Sequence, residues 1–472
     1  MKVYDFTPIP SDRIAAIGED GVSLSFGDLT SLSGDFEQKV ESRRVCLILT
    51  KNSIDCFAGL VALMNCGVVP LLVDLNTNTK FIEQLITVYE PEYVFAPSSI
   101  AKIFISYVAV TREGEYSLCL NKHSSPNIVH PDLALLLSTS GSTGSPKLVR
   151  QSYSNLKSNG SSIIECLGIV SADRPITSLP MHYTYGFSVI NSHLMAGSTV
   201  LITNRSVMEQ QFWNFFRESS ATSISGVPYT YIILKRLVLN RMELTSLSAM
   251  TQAGGKLAKP IIEEFARFSD ENGIRFFVMY GQTEATARMS YVPADFALTK
   301  AGSIGIPIPN GEFFIVDGED KLIESPNHEG QLGYRGPNVS MGYASSRLDL
   351  SKGDENEGTL LTGDIAYRDS DGFYFITGRI SRFVKVFGKR VSLDEIEQRL
   401  ETIVGETACT GVEDEVSIWI IDASKQEIVR KLIASLTGIH SSAFKVYVLG
   451  SLPRNLSGKI DYQSLTTGEA HD

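Results

Sequence analysis

Apolar residues along the chain gather in short continuous runs, separated by stretches in which buried and polar positions alternate with a helical spacing. RRVCLILT (Arg43 to Thr50) reads as a buried strand, Ser53 is placed to cap a helix ending near Gly67, VVPLLV follows as a strand, and EYVFAP (Glu92 to Pro97) as another. Strands alternating with helices predict parallel βαβ units, so the first third is α/β. The alternation resumes with STVLIT at Ser198, ATSISGVP at Ala221, LSAMTQAGG at Leu247 and IRFFVMYG at Ile274, which predicts a second wound sheet. From about Gly302 the texture changes. EFFIVD, GQLGYRG and GFYFITG are punctuated by Gly, Pro, Asn and Asp, which predicts a small β-barrel-like subdomain or antiparallel sheet. Near Gly378 it changes again. A basic and then helical segment is followed by strand VSIWII, helix KQEIVRKLIASL and strand FKVYVL, enough for a small α+β domain. The expected fold is therefore α/β, with a large N-terminal region over residues 1–378 and a C-terminal domain over 379–472.

One apolar run, Cys56 to Val73, reaches the length of a membrane-spanning helix, but Asn65, Gly67 and Pro70 interrupt it. A helix ended by Gly67 and followed by a strand accounts for those breaks, so no membrane span is expected. At 472 residues the chain is long for one compact domain and has the apolar content for full cores. Its formal net charge of −11 opposes nonspecific attraction to nucleic acid or anionic lipid. Six cysteines (Cys46, Cys56, Cys66, Cys119, Cys166, Cys409) form no CxxC pair and sit mostly among apolar neighbours. That pattern points to thiols in a reducing compartment and to no zinc cluster. The opening MKVYDFTPIPSDRIAAIGEDG has no basic segment followed by an apolar core, so no secretory signal is expected and the cytoplasm is the expected location.

Four polar segments carry candidate chemistry. LLLSTSGSTGSPKLV (Leu135 to Val149) fails as a Walker loop, because Lys147 follows Pro146 and precedes Leu148 where a magnesium-binding hydroxyl is needed. It reads either as a different phosphate cradle, in which glycines admit backbone N–H groups and the lysine adds charge, or as a Ser/Gly linker. YGQTEA (Tyr280 to Ala285) follows an apolar strand, where Thr283 and Glu284 can hold a phosphate and its magnesium, or form a surface turn. In LLTGDIAYRDSDGFYFITGR, Asp364 can accept hydrogen bonds from sugar hydroxyls and Arg379 can reach ribose or phosphate; the alternative is a pair of solvated hairpin turns. LPRNLSGKID places Lys459 on a polar loop, where a lysine is otherwise a solvated charge.

Occurring together and in this order, the segments resemble the adenylate-forming superfamily of acyl-CoA synthetases, stand-alone adenylation domains and luciferases. The signature Thr-Ser-Gly-(Ser/Thr)-Thr-Gly-x-Pro-Lys is matched at Thr139 to Lys147 and Tyr-Gly-x-Thr-Glu at Tyr280 to Glu284. Thr-Gly-Asp is matched at Thr362 to Asp364, Gly-Arg at Gly378 to Arg379, and Pro-Arg-x-x-Ser-Gly-Lys at Pro453 to Lys459. The resemblance implies that a carboxylic acid is activated with ATP and Mg²⁺ to an acyl-adenylate, releasing pyrophosphate, and then passed to the thiol of coenzyme A. The alternative acceptor is the phosphopantetheine of a separate acyl carrier protein, in polysaccharide or secondary-metabolite assembly.

It further implies that Thr139, Ser140, Gly141, Ser142, Thr143 and Gly144, with Lys147, grip the β- and γ-phosphates. Thr283 would take the α-phosphate, Glu284 the metal, and Asp364 the ribose with Arg379 beside it. Gly254, Gly255, Tyr280 and Gly281 would flank the adenine and the acyl pocket, and Lys459 would bridge the carboxylate and the α-phosphate. Lys459, Thr283, Glu284 and Lys147 are thus the implied catalytic residues. Family members also rotate a mobile C-terminal domain between half-reactions, which puts the pivot near Ser381 and presents Lys385 and the Gly388 loop to the thiol.

Several positions depart from the family pattern. Ser381 stands where Asp or Lys is usual, Leu148 where glycine is usual, and the Gly-Glu-Leu turn is Gly330–Leu332 with Gln331. In LPMHYTYGFS the aromatic position commonly filled by histidine aligns with Tyr183, His182 falling one position early. Thr184 then replaces the aspartate that holds the ammonium in amino-acid-activating relatives, which disfavours an α-amino acid. Tyr183, Thr184, Phe187, Gly226, Val227 and Ala253 outline an uncharged acyl cavity. A C-terminal domain trimmed between Glu397 and Leu452 keeps the carrier-protein acceptor open. A silent nucleotide-binding relative is disfavoured by the intact Lys147, Thr283, Glu284, Asp364, Arg379 and Lys459.

Overall fold

The computed structural model describes residues 3–101, 104, 106–122, 127–138, 147–239, 242–437, 439–454 and 459–467. The chain forms two compact units, Met1–Glu312 with Tyr334–Leu360, and Phe313–Gly333 with Leu361–Asp472.

The first unit contains two large sheets. In one, strands Val69–Asp74, Val45–Thr50 and Tyr93–Pro97 run parallel at the centre, as the alternation predicted. Every residue of Val45–Thr50 is buried, the continuous apolar run expected of a parallel strand covered on both faces. Ser53 caps the helix Ile54–Asn65 by accepting from the Cys56 N–H, and Gly67, at a φ of 73°, lets the chain reverse into Val69–Asp74. The run Cys56 to Val73 therefore folds as helix, turn and strand. Among the described residues no helix is long and apolar enough to cross a membrane.

The second sheet carries Arg275–Tyr280, Ala249–Gln252, Ser223–Gly226 and Pro175–Ile176 as parallel neighbours, followed by Val200–Ile202. Two features escaped the sequence pattern. Strand Ile14–Gly18 pairs in parallel with Val200–Ile202, so the start of the chain completes the second sheet. Antiparallel strands Tyr107–Glu113 and Tyr116–Asn121 extend the first sheet on one side, and Leu148–Ser152 with Tyr343–Ala344 on the other. The pairings of Ile14–Gly18 with Val200–Ile202 and of Tyr343–Ala344 with Leu148–Ser152 are short and join segments far apart in the chain, so local periodicity does not reveal them.

In the second unit, the β-rich region expected after Gly302 takes the form of a four-stranded sheet in the order Glu312–Val316, Gly330–Arg335, Thr359–Arg368, Tyr374–Arg379. The tail adds a hairpin, Phe383–Val386 with Lys389–Ser392, and a three-stranded sheet whose strands Glu415–Ile420 and Phe444–Val448 match the predicted ones. Helices Leu393–Val404 and Gln426–Thr437 contribute Leu400, Val429 and Ile433 to a core with Ile418 and Val446. Arg382, partly buried there, is neutralised by Asp394 and Glu397. No disulfide joins any of the six cysteines, and Cys46, Cys56, Cys119 and Cys409 are buried.

Candidate active site

In the first unit, Lys147 enters the strand Leu148–Ser152, whose outer neighbour is Tyr343–Ala344 in antiparallel register, Tyr343 opposite Val149. That pairing sets the Tyr343 ring beside the lysine, with Lys147 Nζ 3.4 Å from the ring centroid. The Tyr343 hydroxyl donates to Glu284 Oε1 at 2.7 Å. Burial, reinforced by the Glu284 carboxylate, pushes the Tyr343 phenol well above its ordinary range, so it remains a donor at neutral pH. One aromatic residue thus fixes both the lysine and the glutamate singled out from the sequence. Replacing Tyr343 with Phe is expected to raise the KM for Mg·ATP about tenfold, the loss of about 1.5 kcal/mol from one bond to a charged group. Initial rates over a magnesium series check this.

The segment bearing Tyr343 is held by Arg150, a fully buried arginine. It donates to the carbonyls of Met341 (2.6 Å), Tyr343 (3.1 Å), Lys352 (2.6 Å) and Gly353 (3.2 Å), and to Glu355 Oε2 at 2.5 Å. The guanidinium is satisfied on all sides, as a buried charge must be.

Thr283 and Glu284 sit in a single 3-10 turn, Thr283–Ala285, just beyond the C-terminal end of strand Arg275–Tyr280. This is where α/β sheets bind ligands. Gln151 Nε2 donates to the Thr283 carbonyl, the Ser340 N–H to the Glu284 carbonyl, and Asn338 Nδ2 to that of Ala285. Gly281 is obligatory here: a Cβ would lie 1.5 Å from the Ala287 carbonyl oxygen. The Thr283 and Thr184 hydroxyls are hydrogen-bonded at 2.9 Å, which joins the turn to the helix Thr184–Met195 carrying Phe187.

Tyr183, just ahead of that helix, points toward Gly254. A Cβ on Gly254 would meet Tyr183 Oη at 2.5 Å and Val227 Cγ1 at 3.1 Å, and its φ of 85° also demands glycine. Tyr183, Val227 and Ala253 belong to one apolar cluster with Tyr185 and Met279. Gly226 ends strand Ser223–Gly226, Gly255 follows Gly254, and Tyr280 Oη accepts from Gln282 Nε2. His182 turns the other way, with Nδ1 3.1 Å from Thr50 Oγ1 and Nε2 3.6 Å from Asp74 Oδ2. Burial lowers the His182 pKa, against the pull of Asp74. The neighbouring side chains therefore have separate surroundings, with Tyr183 on the side of the expected acyl cavity.

The second unit holds the remaining candidates. Asp364 and Arg379 are cross-strand partners, Nε to Oδ1 2.6 Å, with the aspartate 1% and the arginine 56% exposed. Lys385 lies on the hairpin strand Phe383–Val386. Gly388 (φ 78°) forms the two-residue turn with Phe387 (φ 48°), both in the left-handed region that a tight hairpin uses. Ser381 occupies the 3-10 turn Ile380–Arg382 between Arg379 and that hairpin. Lys459 precedes Ile460, which bridges back to Arg454, itself ion-paired with Glu406. Thr139, Ser140, Gly141, Ser142, Thr143 and Gly144 lie outside the described residues.

Glu284 has no basic side chain within ion-pairing distance among the described residues, and one of its carboxylate oxygens is left after Tyr343 binds the other. A single carboxylate of this kind fits Mg²⁺, which takes one or two protein oxygens and completes its shell with phosphates and water.

The AMP-binding enzyme family matches residues 9–344, and the chain belongs to it. A probable CoA ligase of Humulus lupulus is 28% identical over 457 residues, 88% of this chain and 82% of its own. The 2-succinylbenzoate–CoA ligase of Bacillus mycoides is 30% identical over 343 residues, 69% of this chain and 68% of its own. The solved o-succinylbenzoate CoA synthetase of Bacillus subtilis shares the fold. With its acyl-adenylate intermediate it superposes at a TM-score of 0.79 and 23% identity, covering 97% of this chain and 96% of its own. Its complex with ATP and magnesium gives 0.78 at 22% identity, 98% of each chain.

Proposed function

We propose that the protein is an AMP-forming acid–thiol ligase: it converts a small carboxylic acid and ATP to an acyl-adenylate and pyrophosphate, then transfers the acyl group to coenzyme A. The observation that carries this reading is the convergence of Lys147, Tyr343, Glu284 and Thr283 at the end of strand Arg275–Tyr280. The CoA ligases among its relatives favour coenzyme A over a carrier protein as acceptor.

In this reading Lys147 and the Thr139–Gly144 loop bind the β- and γ-phosphates, and the Thr283 hydroxyl, oriented by Thr184, meets the α-phosphate. Glu284, steadied by Tyr343, would hold Mg²⁺, which when bound spreads the phosphate charge as pyrophosphate leaves. Asp364 accepts the ribose hydroxyls, with Arg379 limiting its negative charge. Tyr183, Thr184, Phe187, Gly226, Val227 and Ala253 receive the acid, and Gly254, Gly255, Tyr280 and Gly281 let the adenine approach the backbone. Lys459 sets its ammonium between carboxylate and α-phosphate during attack. Residues 379–472 then act as a mobile domain pivoting near Ser381, and Lys385 and Gly388 meet the thiol. Six cysteines outside any disulfide support a reducing, cytoplasmic setting.

Acid-dependent ATP–pyrophosphate exchange over short, medium, long-chain, aryl, dicarboxylic and amino acids tests the assignment, with coenzyme A added to the responders. Exchange followed by acyl-CoA release is expected. Exchange without transfer to coenzyme A would reassign the acceptor to a carrier protein, and exchange with amino acids alone would overturn the use made of Thr184.

A further inference from the structure

Arg288 lies four residues beyond Glu284 and has no part in the steps above. It is 2% exposed. Its Nε donates to Ser188 Oγ at 3.2 Å, its Nη1 reaches only the Met279 sulfur at 3.4 Å, and its guanidinium stands 5.0 Å from the centroid of the Tyr185 ring. No carboxylate pairs with it among the described residues. The ionisable groups that act on it are the Tyr185 phenol and the Cys166 thiol, both pushed upward by burial and so neutral. His193 nearby is also kept uncharged, its pKa lowered to about 4 chiefly by burial.

Two other arginines, fully buried Arg150 and partly buried Arg382, set the contrast. Arg150 has Glu355 and four carbonyls, and Arg382 has Asp394 and Glu397. A cation removed from water without an anion is costly, and it persists where its partner arrives from outside. Arg288 touches two members of one particular cluster: Tyr185 and Met279 pack with Tyr183, Val227 and Ala253, the residues assigned to the acid. The residues expected to form an uncharged acyl cavity therefore share their cluster with two side chains that a guanidinium touches.

Building on the ligase reading, we propose that Arg288 receives a second carboxylate at the far end of the substrate, and that the preferred acids are dicarboxylic. One carboxylate is adenylated, and the other takes the planar donor fork of Arg288, with the intervening carbons against Tyr185 and Met279. An acid with an apolar tail would leave the guanidinium buried and unpaired, the situation in which enzymes discriminate most strongly.

The test compares matched pairs in ATP–pyrophosphate exchange, each dicarboxylic acid against the monocarboxylic acid of equal chain length, with the parent enzyme, Arg288→Met and Arg288→Lys. The parent is expected to favour the better diacid by about 10²-fold or more in kcat/KM, mostly through KM. Arg288→Met should erase that ratio, and Arg288→Lys should restore part of it. A parent enzyme that prefers monoacids overturns the assignment and leaves the ligase reading standing, and this arm needs no variant to fold. Equal losses on both acids in Arg288→Met would reduce Arg288 to a packing role and also overturn it. Silence with every acid would overturn both readings.

Discussion

Lys459→Ala is expected to slow acyl-adenylate formation about 10²-fold or more, roughly 3 kcal/mol of transition-state stabilisation. Attack of a carboxylate on the α-phosphate brings two anions together, and charge moves from the attacking oxygen toward the departing pyrophosphate as the bond forms. A fixed ammonium between them offsets the repulsion and needs no reorganisation at the moment of reaction. The substitution should leave the second unit folded. The base of the lysine's loop is tied by the Arg454–Ile460 bridge, the Arg454–Glu406 ion pair and the Asp461 N–H to the Pro453 carbonyl, none of which uses the lysine side chain. Two assays separate its role from a general defect. Pyrophosphate exchange should fall by the stated factor, while transfer from chemically prepared acyl-adenylate to coenzyme A should stay near the parent rate. Exchange at close to the parent rate would remove Lys459 from the reaction.

Arg150→Met should be the most destabilising of the substitutions considered, costing about 3 kcal/mol in the unfolding of the first unit. Its side chain is fully buried, and four of its five hydrogen bonds end on backbone carbonyls between Met341 and Gly353. A methionine fills the volume but removes those donors, and the Met341 carbonyl keeps the Glu355 N–H. Because one of the carbonyls belongs to Tyr343, the variant should also loosen the contacts to Lys147 and Glu284 and raise the KM for Mg·ATP. Urea denaturation monitored alongside exchange kinetics provides both readings. Glu355→Ala should cost much less, since Glu355 is half exposed and supplies one bond of five. Comparable losses in the two variants would mean that the ion pair, and not the carbonyl cluster, carries the stability.

Much of this was legible in the sequence because its signals are local. Alternating apolar runs located the parallel strands, Ser53 and Gly67 bounded a helix, and the chain's matches to family signatures picked out Lys147, Thr283, Glu284, Asp364 and Arg379. What links them was not legible. Tyr343 follows Lys147 by nearly two hundred positions, and only the antiparallel register with Val149 shows that its ring covers the lysine. Arg150 and Arg288 look like ordinary surface charges in the chain, since burial of an arginine is decided by packing from distant segments. The Arg288 signal was present in one respect: a basic residue so soon after YGQTEA, in an otherwise apolar strand region, invites the question of what it pairs with. In the sequence His182 stands out only as a neighbour of Tyr183, and its approach to Thr50 and Asp74 depends on two strands from a different sheet.

The placement of the cysteines has a chemical corollary. An acyl-adenylate is a mixed anhydride, and any thiolate within reach would capture its acyl group and end as a dead thioester on the protein. Burial holds the Cys46, Cys119 and Cys409 thiols above their ordinary range, and pushes Cys56 up to about 11 and Cys166 to about 12. Five of the protein's own sulfurs are thereby kept protonated and poorly nucleophilic at neutral pH. The activated acid is therefore denied five thiols of its host as acceptors, and the four buried ones, Cys46, Cys56, Cys119 and Cys409, are also shielded from the alkylating and oxidising agents that disable enzymes with exposed cysteines.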